Sequence, residues 1–567
     1  MATFYFDSNA LTNGDGLTEL TPYNTPPVTA FGANTWNLAA GSTWDAGASA
    51  LTGTTNTILQ KWGTGADPII TGSNATLLNI STANNIQITD VELVRAGSPG
   101  GIGLNSTQVG AAPSTPGLIF TRGAIRNFNT NLLLDRSDNC SITEVALTGP
   151  TTTAAIKAAA FSAGDVNNLK IKECYISCGA GISFTVSDVS DSAGKFVGLE
   201  ISNNLFENIS GGAITMRNSA NSISTTATTS VSGSSTLTRS SNWPVAWAPG
   251  KKIFLGGFTD PTNYGIFTVV SVSGTLLTVT EPTAIETAAV GKGIYLMNDN
   301  QAFINPKIVN NTITNSGQTP MLIDNFVGGV ISGNKITQSQ NQDINAGAIE
   351  MLAFKDTVVE FNYISGIKTT GTVDAMGIFT DGGCDNVHVR FNAINNLVGT
   401  DRSNSGAGIA AFYARNCQFY SNIVSGCKVG YWTGGTAGGN NSVFQNTFTK
   451  CISGMLSESN TFINNTSLSY NLFFQNNRGI ADNATSIIAT NAYWQNTVDS
   501  STGALSAKDA TAITTDPMLL DLVPKTGSPL IGAVPHTVYR RDGAGTQRYN
   551  PGTIGALEPT RARQARV

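Results

Sequence analysis

The sequence predicts an all-β fold: a solenoid in which parallel strands coil so that each turn of chain lies on the one before. Three observations predict it. Charged residues make up only 12% of the 567-residue chain, whereas hydrophobic residues reach 40% and glycine alone numbers 60. Soluble domains carry roughly 25% charge, so this chain has too few charges and too many apolar residues for disorder. Its surplus of β-formers and turn formers suits a repetitive β protein. The third observation is internal repetition, in units too short for a strand–helix–strand unit.

The repeat is an Asn followed by alternating apolar residues. It reads NLFENIS from Asn204, NTITNSG from Asn311, NKITQSQ from Asn334, NYISGIK from Asn362 and NAINNLV from Asn392. It continues as NIVSGCK from Asn422, NTFTKCI from Asn446, NLFFQNN from Asn471 and NAYWQNT from Asn491, and CYISCGAGI places Cys174 in the same slot. Counted from Cys174, the steps are 30, 107, 23, 28, 30, 30, 24, 25 and 20 residues. One such unit cannot bury an apolar face alone, but stacked units can. Stacking at about 4.8 Å per turn lets Asn side chains bond up and down the column while tolerating the bend there.

In chain order, residues 1–75 form a cap over the first turn, with Trp36, Trp44 and Trp62 among Gly/Thr-rich loops. An uncovered stack would present unpaired strand edges. Residues 76–218 are the first part of the coil. The 107-residue step then places an insertion at 219–298, where SNWPVAWAPGKKIFLGGFTDPTNYGIFTVVSVSGTLLTVTEP alternates like hairpins without the Asn slot. This is a small β module, whose Trp243, Trp247 and Tyr264 either form its core or stack on sugars. Residues 299–499 resume the coil, and 500–567 are a polar, turn-rich closing cap and tail.

Net charge is −5, and the only basic cluster is the terminal TRARQARV, so nucleic acid is not an expected partner. No run of ~18 apolar residues suits membrane insertion. MATFYFDSNALTNG lacks the basic and apolar regions of a secretory signal. Seven cysteines without a CxxC pair, at 140, 174, 178, 384, 417, 427 and 451, are expected as buried free thiols in a reducing cytoplasm.

With FYFDSNALTNGDG near its start and TTDPMLLDLVPKTGSPLIGAV and PGTIGALEP near its end, the chain resembles right-handed parallel β-helix proteins of the pectate-lyase-like class. NLFFQNN and NAYWQNT are similar to that class's late coils. Within it the sequence is most similar to bacteriophage tailspikes and polysaccharide depolymerases. The resemblance implies a homotrimer on a virion, beside other tail proteins, that recognises or cleaves a bacterial surface glycan. The scaffold also carries lyases and non-cleaving adhesins, and both alternatives stay open.

The stretch GIFTDGGCDNVHVRFNAINN, residues 377–396, draws attention to a site. Alternation in VHVRF turns Val387, Val389 and Phe391 inward and His388 and Arg390 outward. One repeat earlier Val359 and Phe361 point inward; one later, Phe419 does. Glu360, Arg390 and Tyr420 then form one outer column, and Val358, His388 and Gln418 another. Glu360, His388, Arg390, Gln418 and Tyr420 are the candidate glycan contacts. A purely structural Glu–Arg pair is the alternative, worth only about 0.2–1 kcal/mol. One histidine without companion ligands makes no metal site, and no cofactor is expected.

Carboxylates come from GAIEM, residues 347–351, and GIFTD, residues 377–381. Aligning Met351 with Asp381 sends Glu350 and Asp381 to opposite faces. Aligning Ile349 with Ile378 puts them on one face, with Gly382 and Gly383 absorbing the one-residue adjustment. Glycoside hydrolysis needs two carboxyls about 5–5.5 or 6.5–9.5 Å apart, which neighbouring turns can supply. Glu350, Asp374 and Asp381 are the candidate catalytic residues, one protonated and one activating water, with Asp324 and Asp356 in reserve. The structural alternative is that Asp381, before Gly-Gly, only caps a bend. A lyase would need a base and a cation such as Arg390 or Lys355, and no compact Asp cluster for calcium is evident.

Overall fold

The computed structural model describes the chain outside residues 26–29, 82, 108–116, 136–137, 161–164, 187–193, 219–228, 234, 244–246, 257–262, 264, 281–282, 290–292, 298–301, 339–346, 370–373, 400–404, 413, 435–439, 458–465, 483–486, 501–506, 508, 535–552 and 558–567. Tyr264 and the basic tail therefore lie outside the described residues. Every regular element among the described residues is a β-strand, and no helix there is long and apolar enough to cross a membrane. The fold is an all-β parallel β-helix. The chain divides into two compact units, Met1–Ser219 with Asn300–Leu322, and Ala220–Asp299 with Ile323–Val567.

In the first unit parallel pairing already begins at the strand Thr3–Phe6, which pairs with Thr35–Ala39. The register then carries one inner column through Phe4, Trp36, Leu59, Ile88, Phe120, Ile142, Ile171, Ile201 and Ile308. From Trp36 onward each is buried, and each such burial is worth about 1.5–3 kcal/mol. Tyr5 donates to Gly16 O at 2.8 Å and accepts from the Tyr23 amide at 2.9 Å, which covers the outer edge of Thr3–Phe6. Trp36 and Trp44 are buried behind it, stacked on Phe4 and Phe6. The Cys174 amide donates to Asn204 Oδ1 at 2.9 Å, and the Asn204 amide to Asn311 Oδ1 at 3.0 Å, 107 residues away.

The second unit repeats the pattern with three strand stacks. Their inner columns run Ile331–Val359–Val389–Phe419–Val443–Leu468, Ile336–Ile364–Ile394–Val424–Phe448–Phe473–Tyr493 and Ile349–Ile378–Ile409–Tyr431–Met455–Ile480. At one corner Asn334, Asn362, Asn392, Asn422, Asn446, Asn471 and Asn491 form a buried amide ladder. Each Nδ2 donates to the next Oδ1 at 2.9–3.0 Å. The same Nδ2 reaches back to a carbonyl of the preceding turn, as Asn392 does to Val359 at 3.0 Å. Asn suits this slot because its amide supplies donor and acceptor together. The strand Ala407–Phe412 needs close backbone approach: a methyl on Gly408 would run into Val424 Cγ1 and the Gly430 carbonyl.

Residues between 229 and 297 build a separate seven-stranded sheet of antiparallel pairs. Trp243 and Trp247 are buried in it, their rings 5.2 Å apart, and Trp243 Nε1 donates to Thr275 O. They belong to the module's core, which corrects the sugar-stacking alternative for this pair. After the last turns, Leu530, Val534 and Ile554 pack on Leu472 and Ala492. All seven cysteines are buried and free.

Candidate functional site

The two outer columns have the register derived from the repeat: Glu360 pairs with Arg390 and Arg390 with Tyr420, while Val358 pairs with His388 and His388 with Gln418. Arg390 Nε lies 2.6 Å from Glu360 Oε2, and its Nη1 donates to the Tyr420 hydroxyl at 2.8 Å. Tyr420, although outward, is fully buried, because Phe444 stacks on it at 4.9 Å and Phe391 and His388 meet it edge-on. His388 Nε2 is 3.3 Å from Asn386 Oδ1. Burial, then the Arg390 charge, push the His388 imidazole below its ordinary value.

Phe361 and Phe391 depart from the inward orientation expected of them. Their strands end at Glu360 and Arg390, so alternation ends there too. Both residues turn a corner in the left-handed region, with φ of 55° and 56°. Their rings stack on each other at 5.1 Å, and Phe361 is 45% exposed.

The carboxylates sit on the neighbouring strand stack. Of the two registers considered, the structure has Ile349 opposite Ile378 and Met351 opposite Thr380. Glu350 thus faces Phe379, two residues before Asp381. The Asp381 amide donates to Met351 O at 2.8 Å, and its Oδ1 accepts from the Gly382 amide at 2.7 Å. Gly383 takes φ of 80°, which makes the turn after it. Asp324 precedes Asn325, whose amide donates to Leu352 O at 2.8 Å, so Asp324 and Asp381 flank one turn.

Burial pushes the Asp381 carboxyl up to about 7; the Gly382 amide opposes this, and the charges of Asp324 and Asp374 add to it. Asp324 is buried, whereas Glu350, Asp374 and Asp381 are partly exposed. Asp381 can therefore hold a proton near neutrality. Asp356 lies elsewhere, at a corner with φ of 50°, where its Oδ1 accepts from Asn386 Nδ2 at 2.7 Å. Beside Asp381 lies an apolar cluster of Met376, Phe379, Ala410 and Trp432 with Phe412 packed against it. Sequence reasoning missed it, although stepping one turn from Glu350 and Asp381 leads to Phe379 and Phe412. No group of three or more His, Cys, Asp or Glu residues among the described residues is arranged to hold a metal ion.

No protein-family model and no curated protein matches this sequence. Among solved structures, the tailspike protein of E. coli bacteriophage HK620 in complex with a pentasaccharide is similar at 10% identity and a TM-score of 0.41, covering 84% of this chain and 73% of that one. The surface adhesin PfbA of Streptococcus pneumoniae is similar at 9% identity and a TM-score of 0.35, covering 82% and 83%. The GH136 lacto-N-biosidase from Eubacterium ramulus is similar at 10% identity and a TM-score of 0.34, over 75% of this chain; the chain spans less than two thirds, 64%, of its length.

Proposed function

We propose that this chain is a phage tail appendage that binds a bacterial surface polysaccharide, capsule or O-antigen, and hydrolyses it by general acid/base catalysis. The observation that carries the reading is Asp381, whose carboxyl is raised to about 7 beside Asp324 and Asp374. A carboxyl that keeps its proton near neutrality, with further carboxyls around it, matches what glycoside cleavage needs. Asp381 donates its proton to the leaving glycosidic oxygen, and Asp374 or Glu350 takes the proton of the attacking water. Glu360, His388, Arg390 and Gln418 hold the glycan along the outer columns, while Tyr420, buried beneath Phe444, is no glycan contact and instead positions Arg390. The tail location and a homotrimer belong to the same proposal and follow the sequence resemblance.

A lyase has less support, because Arg390 is already engaged by Glu360 and Tyr420. The experiment is incubation with purified capsular polysaccharides and O-antigens, followed by mass analysis of products. Products heavier by water, without unsaturated ends, support the proposal. Unsaturated ends would establish elimination, and binding without new ends would establish a non-cleaving receptor binder.

A further inference from the structure

Phe361 is the most exposed of the aromatic residues at its corner slot, which holds Phe391 and Tyr470 in other turns. The same corner carries Gly333, Phe391, Ser421, Gln445, Tyr470 and Thr490 in other turns, all with positive φ between 53° and 67°. A bulky residue is unfavourable in this region. Burial is a poor reason for it, since Phe361 remains 45% exposed.

Its ring has one covered face and one uncovered face. The covered face stacks on Phe391 at 5.1 Å and 22°. Ser332 pairs with Glu360, so the turn before Phe361 places Gly333 in register with it, and Gly333 has no side chain to lay over the ring. The Gly333 amide donates to Glu360 O at 3.1 Å, which holds that register. The rim is polar. Glu360 gives Oε2 to Arg390, and among the described residues no hydrogen bond occupies Oε1. Lys335 and Tyr363, partners on adjacent turns, stand exposed just beyond the corner.

We propose that the open face of Phe361, over Gly333, is a stacking subsite for one pyranose ring of the glycan. The C–H face of the sugar lies on the phenyl ring, Glu360 Oε1 accepts a sugar hydroxyl, and Lys335 and Tyr363 border the ring. An aromatic face rimmed by a carboxylate, an ammonium and a phenol suits a sugar better than the apolar core of a protein interface. The subsite rests on the glycan-binding function proposed above and adds a position to it.

The test measures binding of the full chain to purified capsular polysaccharides and O-antigens, with saturation-transfer NMR on methyl glucopyranoside, galactopyranoside, mannopyranoside and glucuronide. F361A removes the ring. G333N, tolerated at positive φ, covers its open face even if F361A folds poorly. The expected result is about tenfold weaker polysaccharide binding in either folded variant, the size of a lost stacking contact, with transfer strongest to C–H protons of one sugar face. Unchanged binding in both variants overturns the subsite and leaves glycan binding standing. Binding to no glycan by the unsubstituted chain overturns both. An F361A change in sedimentation with unaltered sugar binding overturns the subsite in favour of a contact between copies.

Discussion

Asn491 Nδ2 donates to Asp509 Oδ2 at 3.0 Å, where each earlier rung from Asn334 sets amide on amide. The other oxygen, Oδ1, accepts from the Thr490 and Thr511 amides at 2.9 and 3.2 Å. A carboxylate is acceptor on both sides, so it can end a column of donors that an amide would only extend. D509N keeps the acceptor for Asn491 but turns a donor toward Thr490 and Thr511. We expect D509N to lower stability by about 1–3 kcal/mol, read by denaturant unfolding and by faster amide exchange at Asn471 and Asn491. A silent D509N would make this residue one more rung.

Inside the ladder the cost is larger. N392A deprives the Asn362 amide and Nδ2 of the oxygen both use, at 3.0 Å each. The buried Asn362 amide and one of its two Nδ2 hydrogens then lack partners, the other still reaching Ile331 O, and stability falls by about 3 kcal/mol or more. Equilibrium unfolding checks this.

Asp381 carries a pH-dependent stability term of definite sign. Its folded value of about 7 lies above its ordinary 3.8. Below about 4 both states hold the proton. As pH rises from about 4 to 7 the unfolded chain releases it first, so the native state loses stability across that window. D381N removes the titration. It should match the parent near pH 4 and exceed it above pH 7 by up to about 4 kcal/mol, seen as diverging melting temperatures.

The Glu360–Arg390–Tyr420 column contributes little to stability and, on the account proposed here, more to binding. Glu360 and Arg390 side chains are 18% and 26% exposed, so E360Q should cost about 1 kcal/mol or less. The same substitution should weaken glycan binding by about tenfold if Oε1 accepts a sugar hydroxyl. Unfolding and binding assays on one preparation separate the two effects.

The rungs were legible because Asn392, Asn422 and their counterparts recur at a slot where one side chain must both give and accept. The pairing of Glu360, Arg390 and Tyr420 followed from that spacing. The corners were not legible. Alternation places Phe361 and Phe391 correctly only while the strand lasts, and both strands stop one residue earlier. The burial of Tyr420 depends on Phe444, a turn away on a step of 24 residues rather than 30. The closeness of Asp324 to Asp381 was equally hidden, since it depends on how Asn325 and Met351 hydrogen-bond across turns of unequal length. Loop length alters register, and register decides which carboxyls meet.

The most direct test of the acid assignment needs no substrate. Carboxyl-carbon NMR of aspartate-labelled protein, assigned by loss of a signal in D381N, follows the titration of Asp381. The account predicts a midpoint near 7 that falls in D324N and in D374N. A midpoint near 3.8 in the unsubstituted chain would leave Asp381 ionised at neutral pH and contradict its role as the proton donor.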